Sequence, residues 1–399
     1  MKDNQAKYPQ LRFKGFTDPW EERKSKDLFT PINERNREDL PVLSVTQDQG
    51  VVLRNDLAID IKYDKSTLSS YKVIHPGDFV ISLRSFQGGF ELSKVLGISS
   101  PAYTIFDLKN LTAHNKLYWK YIFKSFKFIE SLKTVTFGIR DGKSISFREF
   151  SDLKINYPSD VSEQEKIGSF FKRLDYTIAL HQRKLDLLKE QKKGYLQKMF
   201  PKNGSKFPQL RFSGFADAWE QRKLGDIFSE RNERANSGQY KMLSITVDSG
   251  IVPADSLDRK DNSSSDKSHY KRVFEGDIAY NSMRMWQGAS GVSEMNGIVS
   301  PAYTVLKPSK QTDTKFISYL FKLTPMLQSF QKNSQGLTSD TWNLKYKQFS
   351  PIKVKIPILN EQMKIGKVLE MLDDSIAANQ RKLEKLQELK KGYLQKMFV

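Results

Sequence analysis

Apolar residues recur in steps of three and four along Ile167, Phe171, Leu174, Ile178, Leu185 and Leu188, and again along Ile365, Leu369, Leu372, Ile376, Leu383 and Leu386. The first ladder runs on through Lys192, Tyr195 and Met199, the second through Lys390, Tyr393 and Met397. A 3.5-residue period is the seam of a coiled coil, because slight under-winding keeps those positions facing a partner helix. Two long helices are therefore predicted, and the expected arrangement is that they cover each other within the chain. The alternative is that each packs on its own domain or on another chain. His181 and Asn379 occupy the same step of the two ladders, where a polar residue sets register. Ser162 and Asn360, each a few residues after a proline, are the expected N-caps, Ser162 with Glu165 as a capping box. Gly194 and Gly392 are expected to mark a helix end or a close backbone contact, the end being the favoured reading.

Outside the helices the pattern changes to short β-rich runs and turns. Phe79 to Leu83, Tyr103 to Phe106 and Leu153 to Tyr157 read as strands, and Lys116 to Lys133 as one aromatic-rich helix. The whole unit then repeats. YPQLRFKGFTDPWEERK from Tyr8 returns as FPQLRFSGFADAWEQRK from Phe207, SPAYTI from Ser100 as SPAYTV from Ser300, and KKGYLQKMF ends both ladders. The expected fold is α+β: a mixed α/β domain over residues 1–161, a long helix over 162–200, a polar linker over 201–206, a second domain over 207–359 and a second helix over 360–399. Such a duplication predicts halves related by a pseudo-two-fold axis, with the helices antiparallel. Arg54 to Ser69 and Asp107 to Ser144 barely resemble their counterparts. A shared scaffold with divergent loops fits one binding device aimed at two targets, or simple drift at tolerant surfaces.

Composition narrows the function. The 399 residues carry 65 Lys and Arg against 46 Asp and Glu, a net charge of +19, and such a field attracts polyanions, of which nucleic acid is the commonest in the cytoplasm. No apolar run approaches the roughly 18 residues of a membrane span, so a cytoplasmic location without membrane partners is expected. The absence of cysteine excludes thiol catalysis, disulfides and cysteine-bound metal.

Catalytic motifs fail on inspection. Gly138 to Ser144 resembles a phosphate loop, but three residues separate its glycines where four are needed. Asp18-Pro19-Trp20 lacks one proline of an amino-methyltransferase tetrapeptide, and no glycine-rich cofactor loop follows a strand. The four histidines show no metal-ligand spacing, and Asp141-Gly142-Lys143 as a nuclease signature is a chance-level match. The chain reads as a binding protein that holds no cofactor and has no catalytic centre of its own.

Loop residues suit DNA better. Arg84 and Gln87 in the first unit, and Arg284, Trp286 and Gln287 in the second, lie in matching loops after a strand. Arginine can take guanine O6 and N7 together, and glutamine adenine N6 and N7. Arg140, Lys143 and Ser144, and their counterparts Gln335, Thr338 and Ser339, form a second polar loop. Arg35, Arg37, Arg231 and Arg234 are expected to touch phosphates or to solvate a loop.

The tandem layout, the Pro-x-x-x-x-Glu-Gln-x-x-Ile entry to each helix, the openings LRFKGFTDPWEERK and LRFSGFADAWEQRK, and KKGYLQKMF together resemble the specificity subunit of type I restriction–modification systems. The resemblance covers essentially the whole chain. It implies two target-recognition domains joined by an antiparallel coiled coil and reading a split site in double-stranded DNA. It further implies partners: methyltransferase subunits using S-adenosylmethionine on adenine, and restriction subunits that translocate and cleave with ATP and Mg2+. A stand-alone DNA-binding regulator, or a self-contained nuclease or methyltransferase, are the other classes the sequence leaves open.

Overall fold

The computed structural model describes residues 7–46, 49–57, 65–82, 89–134, 145–202, 204–236, 239–258 and 266–399. They form two compact units that are discontinuous in sequence, Met1–Gln182 with Arg381–Val399, and Arg183–Gln380. Each unit thus contains the start of one long helix and the end of the other.

The helices span Val161–Lys198 and Leu359–Lys396, 38 residues each, or about 57 Å at 1.5 Å per residue. Within the first unit the start of the first helix runs antiparallel to the end of the second: Phe170 meets Tyr393 with ring centroids 5.0 Å apart, and Asp175 meets Lys390. In the second unit Lys192 meets Asp373 in the same sense. The apolar ladder positions are buried or half-buried, whereas Tyr176, Leu180 and Leu187, off the ladder, are exposed. His181 is half-buried and Asn379 buried.

Each helix ends in its unit's core. Met397 and Phe398 pack with Trp20, Tyr118 and Phe171, and Met199 and Phe200 with Trp219 and Phe316. Those plugs explain the repeated KKGYLQKMF: Lys193, Lys198, Lys391 and Lys396 face solvent while Tyr, Leu, Met and Phe turn inward. Gly194 and Gly392 mark neither a close contact nor the last residue. A Cβ at either would meet nothing within 4 Å, and both helices continue to Lys198 and Lys396.

The helix starts differ from expectation in one respect. Ser162 and Asn360 lie inside the first turn, and in the first helix Asp160 caps instead, its Oδ1 accepting from Ser162 N at 2.7 Å. The repeated Glu-Gln pair has a different task from capping. Glu163 is held by Nε and Nη2 of Arg12, each at 2.7 Å, and Glu361 likewise by Arg211. Gln164 and Gln362 are buried and accept from the backbone of Asn115 and Asp313, the N-caps of the domain helices Lys116–Ile122 and Thr314–Phe321. Gly168 and Gly366 let that helix approach: a Cβ would lie 2.9 Å from Tyr118 N in one unit and 2.8 Å from Asp313 Oδ1 in the other. The repeated entry motif is therefore a docking device between domain and rod.

Each domain is built on a four-stranded antiparallel sheet. In the first unit the order is Phe29–Ile32, Thr104–Leu108, Phe79–Ile81, Phe90–Leu92. In the second it is Phe228–Glu230, Tyr303–Pro308, Ile278–Asn281, Ser290–Val292. Lys154–Tyr157 pairs with Glu21–Lys24, so the domain's entry and exit strands lie side by side. Phe29, Phe79, Phe90, Phe106, Phe123 and Phe150 fill the first core in mutual ring contacts. The single helix expected over Lys116 to Lys133 is two, Lys116–Ile122 and Phe126–Leu132, because Ser125 accepts from Phe128 N and starts a new helix. The second unit breaks at the corresponding place, between Thr314–Phe321 and Thr324–Asn333, with Pro325 in the first turn of the latter.

Candidate nucleic-acid interface

In the second unit, strand Ile278–Asn281 delivers the chain into a tight loop. Arg284 N donates to Asn281 O at 2.9 Å, Met283 N donates to Asn281 Oδ1, and Met285–Gln287 form one 3-10 turn. Gly288 closes the loop at φ 88°, a left-handed conformation that a side chain would strain. Lys322, from the adjacent helix, donates to the carbonyls of Gly288 and Val247, and burial pushes its ammonium below the usual lysine range. The loop is braced from behind while its polar side chains face out.

A second loop joins it. Gln335 and Asn343 exchange backbone hydrogen bonds at 3.0 and 2.7 Å and pinch off the residues between them. Gly336 adopts φ 141° and has Thr341 O 2.6 Å from where a Cβ would stand, so a glycine is required there. Leu344 N then donates to Ser282 O, and Trp342 packs edge-on against Trp286 at 5.2 Å. The two polar loops read separately in the sequence are thus fastened together. They line one groove with Arg284, Trp286, Gln287, Tyr303, Ser339 and Asp340.

Arg284, Gln287, Gln335, Thr338 and Ser339 are exposed and Trp286 is half-buried. Gln335 and Thr338 stand on the second loop beside the groove wall, where Thr338 N donates to Thr341 Oγ1. Arg231 is placed otherwise. Its guanidinium clasps Asp277, whose side chain is 3% exposed, at 2.7 and 3.0 Å and lies over the Phe274 ring. That is a structural pairing, where a phosphate contact or a solvated loop was expected. Arg234 is exposed and donates to His269 O, Arg35 to Asn33, and Arg37 forms an exposed bidentate pair with Asp39. Asp39 offsets the charge that Arg37 would bring to a phosphate. Arg84, Gln87, Arg140, Lys143 and Ser144 lie outside the described residues.

Sequence reasoning passed over Trp342 and Asp340. Neither carried a periodic or motif signal that would set it apart from its neighbours. Among the described residues there is no group of His, Cys, Asp and Glu that could hold a metal ion, and no helix long and apolar enough to cross a membrane.

Comparison with known proteins agrees with this two-fold construction. The model of the type I restriction modification DNA specificity domain matches residues 17–190 and again 216–388. A putative type I restriction enzyme MjaX specificity subunit of Methanocaldococcus jannaschii is 21% identical over 69% of this chain, and the MjaVIII specificity subunit of the same organism 30% over 32%. The matches span 65% and 29% of those relatives' own lengths. The crystal structure of a type I restriction-modification S subunit from M. genitalium superposes with a TM-score of 0.61 at 16% identity, covering 98% of this chain and 99% of that one. With both halves matched by the same domain, the chain belongs to the type I restriction modification DNA specificity family.

Proposed function

We propose that this chain is the address-reading subunit of a type I restriction–modification complex, recognising a bipartite target in double-stranded DNA with one half-site per domain. The observation that carries the reading is the groove of the second unit. There Arg284 and Gln287, side chains with bidentate geometry for guanine and adenine, are held outward by a braced loop and joined to a second polar loop. The chain itself is a recognition subunit, not an enzyme. Methyltransferase subunits using S-adenosylmethionine, and restriction subunits using ATP and Mg2+, would supply the chemistry. The exposed faces of the long helices would hold them, and the complex would work in the cytoplasm.

Equilibrium binding of purified chain to duplex DNA across a salt series tests the first step. With a net charge of +19, counterion release makes affinity fall steeply between about 50 and 200 mM salt. A duplex carrying both half-sites should retain an advantage over unrelated duplex throughout. Affinity insensitive to salt, or equal on every duplex, contradicts the reading.

A further inference from the structure

Asp340 is an acid in a groove whose proposed ligand is a polyanion. Its carboxylate is exposed, and no hydrogen bond or ion pair engages it among the described residues. It shares the groove with Arg284, Trp286 and Gln287. Its backbone is fixed to theirs. Thr341 Oγ1 accepts from Thr338 N and donates to Thr338 O, Trp342 N also donates to Thr338 O, and the loop is sewn to the arginine loop by Leu344 N on Ser282 O and by the Trp286–Trp342 contact. A carboxylate beside phosphates repels them at every sequence and so lowers general affinity. An acid carried on this anchored loop therefore gains nothing from the phosphates, and what it can gain from DNA is a donor on a base edge. In the major groove those donors are the exocyclic amino groups, N4 of cytosine and N6 of adenine.

We infer that Asp340 is a specificity-determining residue of the second half-site, accepting a hydrogen bond from the exocyclic amino group of one base next to the position that Arg284 reads. This rests on the DNA-reading role of the groove. The carboxylate discriminates twice: it bonds to an amino group, and it faces a keto oxygen of guanine or thymine with repulsion. Cytosine and adenine are the two sources of that amino group.

Selection of bound duplexes from a randomised pool, using the full chain and its Asp340→Ala, Asp340→Asn and Arg284→Ala variants, tests this. The wild type is expected to prefer cytosine or adenine at one position of one half-site by roughly 5- to 100-fold. Asp340→Ala should lose that preference at this position alone, keep the other positions, and bind unrelated duplex at least as tightly as wild type. Asp340→Asn should relax the same position, because an amide can also donate to a keto oxygen. Replacing the preferred base by its analogue without the amino group, 2-pyrimidinone for cytosine or purine for adenine, should weaken the wild type and leave Asp340→Ala unchanged, and which replacement acts identifies the base. Uniformly weakened binding by Asp340→Ala, or an unaltered base profile, overturns the inference. If Arg284→Ala relaxes a neighbouring position while Asp340→Ala alters nothing, the groove still reads DNA and only the role of Asp340 fails. A wild type without any base preference overturns both.

Discussion

The Lys390 ammonium lies 2.6 Å from Asp175 Oδ1, while the other oxygen of that carboxylate accepts from the Tyr121 hydroxyl at 2.8 Å. One carboxylate thus ties the start of the first rod to the end of the second and to the recognition domain. The second unit repeats the arrangement with Lys192, Asp373 and Tyr319. In both units burial and the carboxylate push the tyrosine hydroxyl well up, so it stays a donor.

These triads separate charge from hydrogen bonding. Lys390 and Asp175 are each about one third exposed, so Lys390→Ala should cost no more than about 1 kcal/mol. Asp175→Ala also strands the largely buried Tyr121 hydroxyl and should cost about 1–3 kcal/mol more. Urea unfolding of the two variants checks the order. Equal losses would assign the whole effect to the ion pair.

The Arg12 clasp on Glu163 is deeper, with the carboxylate side chain 1% exposed. Arg12→Ala leaves a buried charge without its partner and should cost about 3–5 kcal/mol, whereas replacing Arg12 and Glu163 together by methionine should cost far less. Unfolding free energies of the single and double variants decide it. A double variant as unstable as the single would mean the loss is one of packing rather than of charge.

His114 provides a pH handle. It packs against the rings of Trp119 and Tyr157, and burial holds its pKa below the usual 6.5. Above that value both folded and unfolded states are neutral there and the contact is fully available. As pH falls through it, the unfolded chain takes up a proton first, so stability declines until the folded pKa is reached. The wild type should therefore lose more stability between pH 7.5 and 5.5 than His114→Phe. Parallel losses in urea melts would exclude a contribution from this residue.

The rods were legible because a 3.5-residue ladder leaves a periodic trace, and the duplication because identical phrases recur. Their antiparallel sense was predicted by the duplication, since the ladder marks only the face that a partner helix covers. Less visible was the purpose of the Glu-Gln entry pair. Glu163 looks like a solvated first-turn acid, and only the distant Arg12 makes it a buried one. Ser125 inside an aromatic run carried too weak a local signal to divide the helix, although it is the cap that does so. At the candidate site, Arg284 and Gln287 were readable from side-chain chemistry. Arg231 was misplaced because its partner Asp277 sits far along the chain. The closure of the two loops into one groove depends on Leu344 bonding Ser282, a long-range contact that no local pattern announces.

Mapping methylated adenines in cells that co-express this chain with the methyltransferase subunit proposed as its partner, as wild type and as Arg284→Ala, tests the central claim most directly. The wild type should yield one motif of two defined blocks separated by a spacer of fixed length and indifferent sequence. Arg284→Ala should relax a position in one block only, leaving the other block and the spacer as they were. Methylation at a single contiguous motif, or an Arg284→Ala motif relaxed equally in both blocks, would contradict the assignment of one half-site to each domain.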